Sequence, residues 1–402
     1  MWLGSCQPAA EACAFWARRS LTAVVRQAVL VAGTGRGTRL NAIEAMRGVA
    51  ACMVMIGHIL DDATQFGFSG VAVPAAWPIW NAGVDLFFVI SGFIMVWTFG
   101  DRFGSRGAVW DFVVRRLSRV APLYWLITVL TAVLVVVWPG LFDRAQFAWS
   151  HLILSILFVP HLSPRGELLP IVGVGWTLNY EMMFYMIFAI GLLFRTGIGL
   201  VVISVAMVGA YVAVRILGSD NHPLGQFVAN SVLLDFLVGV GLGQVVRQFG
   251  LKRTVLLVTA AAALLAALIL PGSFGTMRFV KAGLPALAIL SVALALYPTP
   301  TGRLGRWALL LGAASYALYL AHTLVINVIK AAMKDVALAF DLVPVLAFGL
   351  YAGLALVLSI VAALLLQKYV EVPMLRTCRR LGSSAPASAL PSALPTVRLR
   401  RG

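Results

Sequence analysis

Charge is scarce in this 402-residue chain: 11% of its residues are Asp, Glu, Lys or Arg, against 61% hydrophobic. Soluble domains carry about 25% charged residues, so a water-soluble globular fold is excluded. Acidic residues are the scarcer kind, 15 against 31 basic ones. The basic residues collect at the ends of apolar runs, as the positive-inside pattern requires. The net charge of +16 therefore reads as membrane topology and not as a nucleic-acid footprint. The four cysteines, Cys6, Cys13, Cys52 and Cys378, show no paired metal spacing, so no zinc site or disulfide framework is indicated. Alternating segments of about ten residues are missing, which excludes an outer-membrane barrel. No cleavable signal peptide is expected either. The early run "LTAVVRQAVLVAG" is broken by Arg26 and no small-residue cleavage site follows it. "GTGRG" at Gly33–Gly37 lacks the flanking strand and the spacing of a phosphate loop and reads as a linker.

What the chain does have is long apolar runs. Ten approach the ~20 residues that span a bilayer: 43–60, 81–99, 119–137, 172–194, 198–216, 227–246, 254–270, 279–297, 307–330 and 344–368. An eleventh, 150–160, is short for a crossing and suits a re-entrant or interfacial helix. The expected fold class is therefore all-α: a polytopic membrane protein of about ten transmembrane helices plus one short re-entrant or interfacial helix. Counting 150–160 as a span would move the Arg247/Lys252/Arg253 and Arg303/Arg306 clusters to the outer side. Ten spans keep them, the basic N-terminal arm and the C-terminal tail inside. The expected organisation is a basic cytoplasmic arm (1–39), a membrane domain (40–376) and a disordered basic tail (377–402), with both termini cytoplasmic. The tail reads as disordered from its Ser-, Ala- and Pro-rich composition.

Within the apolar runs a few ionisable residues stand out. "EAMRGVAACMVMIGHIL" holds Arg47 and His58, eleven positions apart. Eleven residues make three helical turns plus about 20°, so both side chains share one face, roughly 16 Å apart along the axis. On the ten-span topology His58, Asp85, Glu181, Asp235 and His322 converge on the outer half of the bilayer. Intramembrane ionisable groups are expensive and are functional candidates by default. Thr177, Glu181 and Tyr185 share one helix face, and Ser315, Tyr319 and His322 share another, which supports a common cavity. Plainer readings exist for each. A histidine can simply bond a neighbouring helix. Asp85 and Glu181 can be packing hydrogen bonders or buried partners of arginine. Arg115, Arg116 and Arg119 can be topology anchors.

Five stretches in order resemble the acyltransferase 3 family of integral-membrane acyltransferases, especially its bacterial branch that modifies exopolysaccharides and O-antigens. They are "LNAIEAMRGVAACMVMIGH", "GVDLFFVISGFIM", "RRLSRVAPLYW", "WTLNYEMMFY" and "SYALYLAHTLV", and the match runs from Asn41 to Arg376. The closing "YVEVPM" departs from the family pattern, with Val372 where a basic residue is usual. The resemblance implies transfer of an acyl group, usually acetyl, from cytoplasmic acyl-coenzyme A to a hydroxyl on a glycan or other acceptor, in a bacterial inner membrane and without a metal. On that reading Arg47, Arg115, Arg116 and Arg119 bind the donor's phosphates through their guanidinium forks. A pantetheine arm carries the thioester about 15 Å deeper to His58, which acts as general base or as transient acyl carrier. Glu181 or Asp85 orients the imidazole or binds sugar hydroxyls, and Ser91, Tyr319 and His322 serve the oxyanion or the acceptor. The rival reading is a transporter, which would also hold ionisable groups near the midplane, but no internal repeat is visible.

Overall fold

The computed structural model describes residues 38–65, 77–142, 146–218, 222–271, 277–296, 302–339 and 344–382. The arm up to residue 37, with Cys6, Cys13 and the glycine linker, and the tail beyond 382 lie outside the described residues. Among the described residues every regular element is helical. In chain order the α-helices are α1 Thr38–Gln65, α2 Trp77–Phe99, α3 Ala108–Val137, α4 Trp149–Ile156, α5 Trp176–Gly191, α6 Thr196–Leu217, α7 Pro223–Val228, α8 Leu233–Phe249, α9 Arg253–Ile269, α10 Leu284–Leu296, α11 Gly302–Ala313, α12 Ser315–Ala339, α13 Pro344–Leu366 and α14 Val372–Gly382. Wider π-helical turns, Phe279–Gly283 and Gln367–Glu371, open α10 and join α13 to α14. The chain is an all-α, polytopic membrane protein.

Eight helical segments among the described residues are long and apolar enough to cross a membrane. The two remaining expected spans, α5 and α9, are 16 and 17 residues long, about 24–26 Å at 1.5 Å per residue, short of the ~30 Å hydrocarbon core. The short run at 150–160 is an eight-residue helix, α4. The run expected as one span at 307–330 is divided at Ala314 between two helices. Hydrogen bonding continues across the division, Ala314 N–H to the Leu310 carbonyl at 3.0 Å and Leu318 N–H to the Ala314 carbonyl at 2.8 Å. α14 continues past residue 376 to Gly382, so part of the expected tail is helical.

Burial sorts the helices into centre and rim. In the most apolar stretch of α2, 67% of residues are buried, against 11% in α6. α6 therefore turns Val201, Val205 and other apolar side chains outward to lipid, while α2 lies in the middle. α2 packs along α8 with the two backbones in contact. A Cβ on Gly92 would meet the Phe236 carbonyl, and one on Gly239 would meet the Val89 carbonyl. Without a hydrophobic drive between helices in lipid, such small residues let van der Waals contact hold the pair. α1 lies against α2, α11 and α12. Arg47 and His58 are thereby presented inward from one helix.

Candidate functional site

Two cavities open along the inward face of α1, one near each end. The first, about 720 Å³, is lined by Arg47, Arg116, Arg119, Ser91, Glu181 and Tyr185, with Thr177, Tyr316 and Tyr319 closing it. Arg47 donates from Nε to the Ser315 hydroxyl at 3.3 Å, at the first residue of α12. Arg116 lies over the rings of Phe112 and Tyr185, its carbon 5.8 and 6.0 Å from their centroids. It donates to Thr98 Oγ1 at 3.4 Å, and its Nε has no hydrogen-bond partner. Glu181 accepts from the Tyr185 hydroxyl in a short bond and from Ser91 Oγ at 3.5 Å. Its carboxylate lies within electrostatic reach of Arg47 and Arg116. Three guanidinium groups thus face a cavity with one carboxylate. Guanidinium forks bind phosphate oxygens bidentately.

The second cavity, about 1190 Å³, is lined by His58, Asp61, Asp62, His151, Glu167 and Lys330, among others. Asp62 is fixed by Lys330 at 3.6 Å and by the Tyr351 hydroxyl at 2.8 Å. His151 pairs with His161 through Nδ1 and Nε2 at 2.7 Å. Burial, then the neighbouring His161, pushes the His151 imidazole down to about 4. It is a neutral ring at physiological pH.

A single layer of side chains divides the two cavities. Tyr319 and Thr177 line the first, while Val174 and Trp176 line the second. The Tyr319 and Thr177 hydroxyls lie 2.7 Å apart, and both reach the Val174 carbonyl, at 2.9 and 3.0 Å. Behind them the His322 ring lies between Tyr319 and His58, 6.1 and 5.2 Å from their rings. His322 is fully buried, and its Nδ1 is 2.9 Å from the Leu318 carbonyl. A carbonyl only accepts, so Nδ1 carries the proton. The Nε2 of the neutral ring is an acceptor, and it has no hydrogen-bond partner.

The five ionisable residues expected in one outer-half cavity fall into three groups. His58 and His322 meet at the dividing layer. Glu181 faces the arginine cavity with Thr177 and Tyr185, as helical spacing indicates. Asp85 is fully buried outside both cavities, in a forked pair with Arg278 at 2.9 and 2.8 Å, beside Asp235. The Asp235 carboxylate packs on Gly283, where any Cβ would strike it. Asp85 thus follows its plainer reading as a buried partner of arginine. Neither Asp85 nor Glu181 shares the cavity that His58 lines. Arg115 points away from the arginine cavity and pairs with Asp111 at 2.7 Å, one turn away. Ser91 spends its proton on Glu181.

Sequence reasoning passed over Asp61, Asp62, His151, His161, Lys330 and Arg278. Most lie at helix ends or in connections, where polar residues are ordinary. The signal that could have found His151 and His161 is their place on and just after α4, the apolar run at 150–160 that is far too short to span.

The family model for an acyltransferase domain, acyltransferase 3, matches residues 40–364. Among curated proteins, the exopolysaccharide production protein ExoZ of Rhizobium meliloti is 36% identical over 262 residues, covering 62% of this chain and 78% of ExoZ. The acyltransferase MdmB of Streptomyces mycarofaciens is 27% identical over 394 residues, covering 89% of this chain and 96% of MdmB. No solved structure matches. The match takes in Arg47, Arg116, Arg119, Glu181, Tyr319, His322 and His58. By its fold and by this match, the chain belongs to the acyltransferase 3 family and is a multi-pass membrane acyltransferase.

Proposed function

We propose that this acyltransferase moves an acyl group, acetyl foremost, from cytoplasmic acyl-coenzyme A to a hydroxyl of a surface or exported glycan in a bacterial inner membrane. One observation carries the reading. Two cavities of opposite chemistry sit on one helix, with Arg47 in one and His58 in the other, parted by one layer of side chains.

On this reading the arginine cavity opens to the cytoplasm and takes the donor. Its phosphates meet Arg47, Arg116 and Arg119, and the Phe87 and Phe88 wall accommodates the less polar arm. Arg115 takes no part. Arg47 and His58 are roughly 16 Å apart along α1, a distance the pantetheine arm covers, so the thioester reaches the dividing layer while the charged end stays at the arginines. There His58 either takes the proton of the attacking hydroxyl or first receives the acyl group on its ring nitrogen. His322, an acceptor at Nε2, is suited to hold a proton beside His58 and not to donate to an oxyanion. Tyr319 and Thr177 are the hydroxyl donors nearest the developing negative charge, once released from the Val174 carbonyl. The acceptor enters the His58 cavity from the outer side.

The test uses inside-out membrane vesicles and acetyl-labelled acetyl-coenzyme A, with wild type, His58→Ala and Arg47→Ala. Wild type should release coenzyme A and deposit label on a lumenal glycan. His58→Ala should do neither, and Arg47→Ala should need far more donor. Equal behaviour of wild type and His58→Ala would remove the proposal. Uptake of unreacted substrate would put a transporter in its place.

A further inference from the structure

The His58 cavity is built to accept hydrogen bonds. His161 holds its Nδ1 2.7 Å from the Val159 carbonyl, so that nitrogen carries a proton. Its Nε2 is then the accepting nitrogen of the imidazole, and the His151 Nδ1 at 2.7 Å is the donor to it. His151 Nε2 is then an acceptor, on a side chain lining the cavity. The His151 residue is only 4% exposed. Its helix is clamped. The Tyr124 hydroxyl bonds the Ser155 carbonyl at 3.2 Å, Ser155 Oγ bonds the His151 carbonyl at 2.7 Å, and the Ile171 N–H bonds Ser155 Oγ at 3.0 Å. The charged groups lining the same cavity are Asp61, Asp62 and Glu167 against Lys330 alone. A carboxylate or phosphate ligand would meet that excess of like charge, whereas an uncharged alcohol would not.

We infer that the His58 cavity selects an uncharged polyhydroxy acceptor, a neutral sugar and not an acidic one, and that His151 holds one of its non-reacting hydroxyls through Nε2. The inference rests on the proposed acyl transfer and names the acceptor class of that same site. The reacting hydroxyl then keeps its own proton for His58. The tautomer imposed by His161 makes His151 a selector for O–H donors.

The experiment uses the purified full-length protein in lipid vesicles with acetyl-coenzyme A and two matched acceptors, cellobiose and cellobiouronic acid. Binding of labelled acetyl-coenzyme A to the same vesicles reports the donor half separately. The neutral sugar should be preferred by about tenfold or more in kcat/KM, and Glu167→Gln should narrow that preference. His151→Ala should raise the acceptor KM by roughly 3–10-fold with the donor KM unchanged. His151→Gln, which keeps an acceptor oxygen at similar reach, should recover most of the loss and also guards against misfolding. Equal use of both sugars, or use of neither with donor binding intact, would overturn the inference while leaving acyl transfer standing. So would a His151→Ala effect confined to kcat. Failure of wild type to bind acetyl-coenzyme A would instead bring down the acyl-transfer reading, and this inference with it.

Discussion

The Arg47 cavity is lined by three guanidinium groups and one carboxylate, and the His58 cavity, at the other end of the same helix, by three carboxylates and one ammonium. One face of one helix thus serves two environments of opposite sign. An anion is attracted at one end and repelled at the other, so the ligands of the two ends are sorted before any chemistry. Two imidazoles, of His58 and His322, lie where the two meet. Arginine suits the first end because it stays charged when buried. Histidine suits the meeting point because its proton moves near neutral pH.

The largest effect expected lies outside both cavities. Asp85→Asn leaves Arg278 facing a weaker partner in a buried site, and breaking a buried pair costs about 3–5 kcal/mol. The yield of folded protein should fall sharply, while the specific activity of the folded remainder changes little. A normal yield with lost activity would put Asp85 into the chemistry and blur the division into two cavities. Next comes Arg116→Ala. Removing a charged donor costs about 1.5–3 kcal/mol, so the KM for acyl-coenzyme A should rise about 10–100-fold with the acceptor KM untouched. A matching rise in acceptor KM would mean the cavities are not separate sites.

A smaller effect should appear in the pH dependence of stability. His151 is held down to about 4 by burial and by His161, against ~6.5 in the unfolded chain. As pH falls from about 6.5 towards 4 the unfolded chain takes up a proton that the folded chain refuses, so stability falls over that window. His151→Gln should flatten that slope in thermal unfolding followed from pH 7 to pH 5, and an unchanged slope would show that another group sets it. Smallest is Arg115→Ala. Its partner Asp111 lies one turn away at the surface, and such pairs are worth about 0.5 kcal/mol. Donor KM and stability should both stay close to wild type, and the contrast with Arg116 one residue on would sharpen the assignment of the arginine cavity.

The shared face of Arg47 and His58 was legible because it follows from helix geometry alone. So were the all-α class and the shortness of the helix at 150–160, which rest on run length. The separation of the two residues into different cavities was not legible, since it depends on how α2, α5 and α12 close around Tyr319 and Thr177. Arg278 reads in sequence as an outer-loop cation. Only the turn of Phe279–Gly283 against α8 shows it forked onto Asp85. The division at Ala314 was hidden for a similar reason. Nothing in "LGAASYALYL" marks it, and only the fold shows Gly312, two residues before it, lying against the Glu44 carbonyl of α1.

The thin layer at Tyr319 and Thr177 has an electrical consequence. Where two aqueous vestibules approach each other through a membrane protein, the membrane voltage falls across what little lies between them. A charged group crossing there does work of about 2.3 kcal/mol per elementary charge per 100 mV. A neutral acetyl group handed across does none, while the phosphates of its carrier remain on the side they came from. The rate of such a transfer would be indifferent to membrane energisation, whereas a negatively charged acyl group such as succinyl would feel the full field.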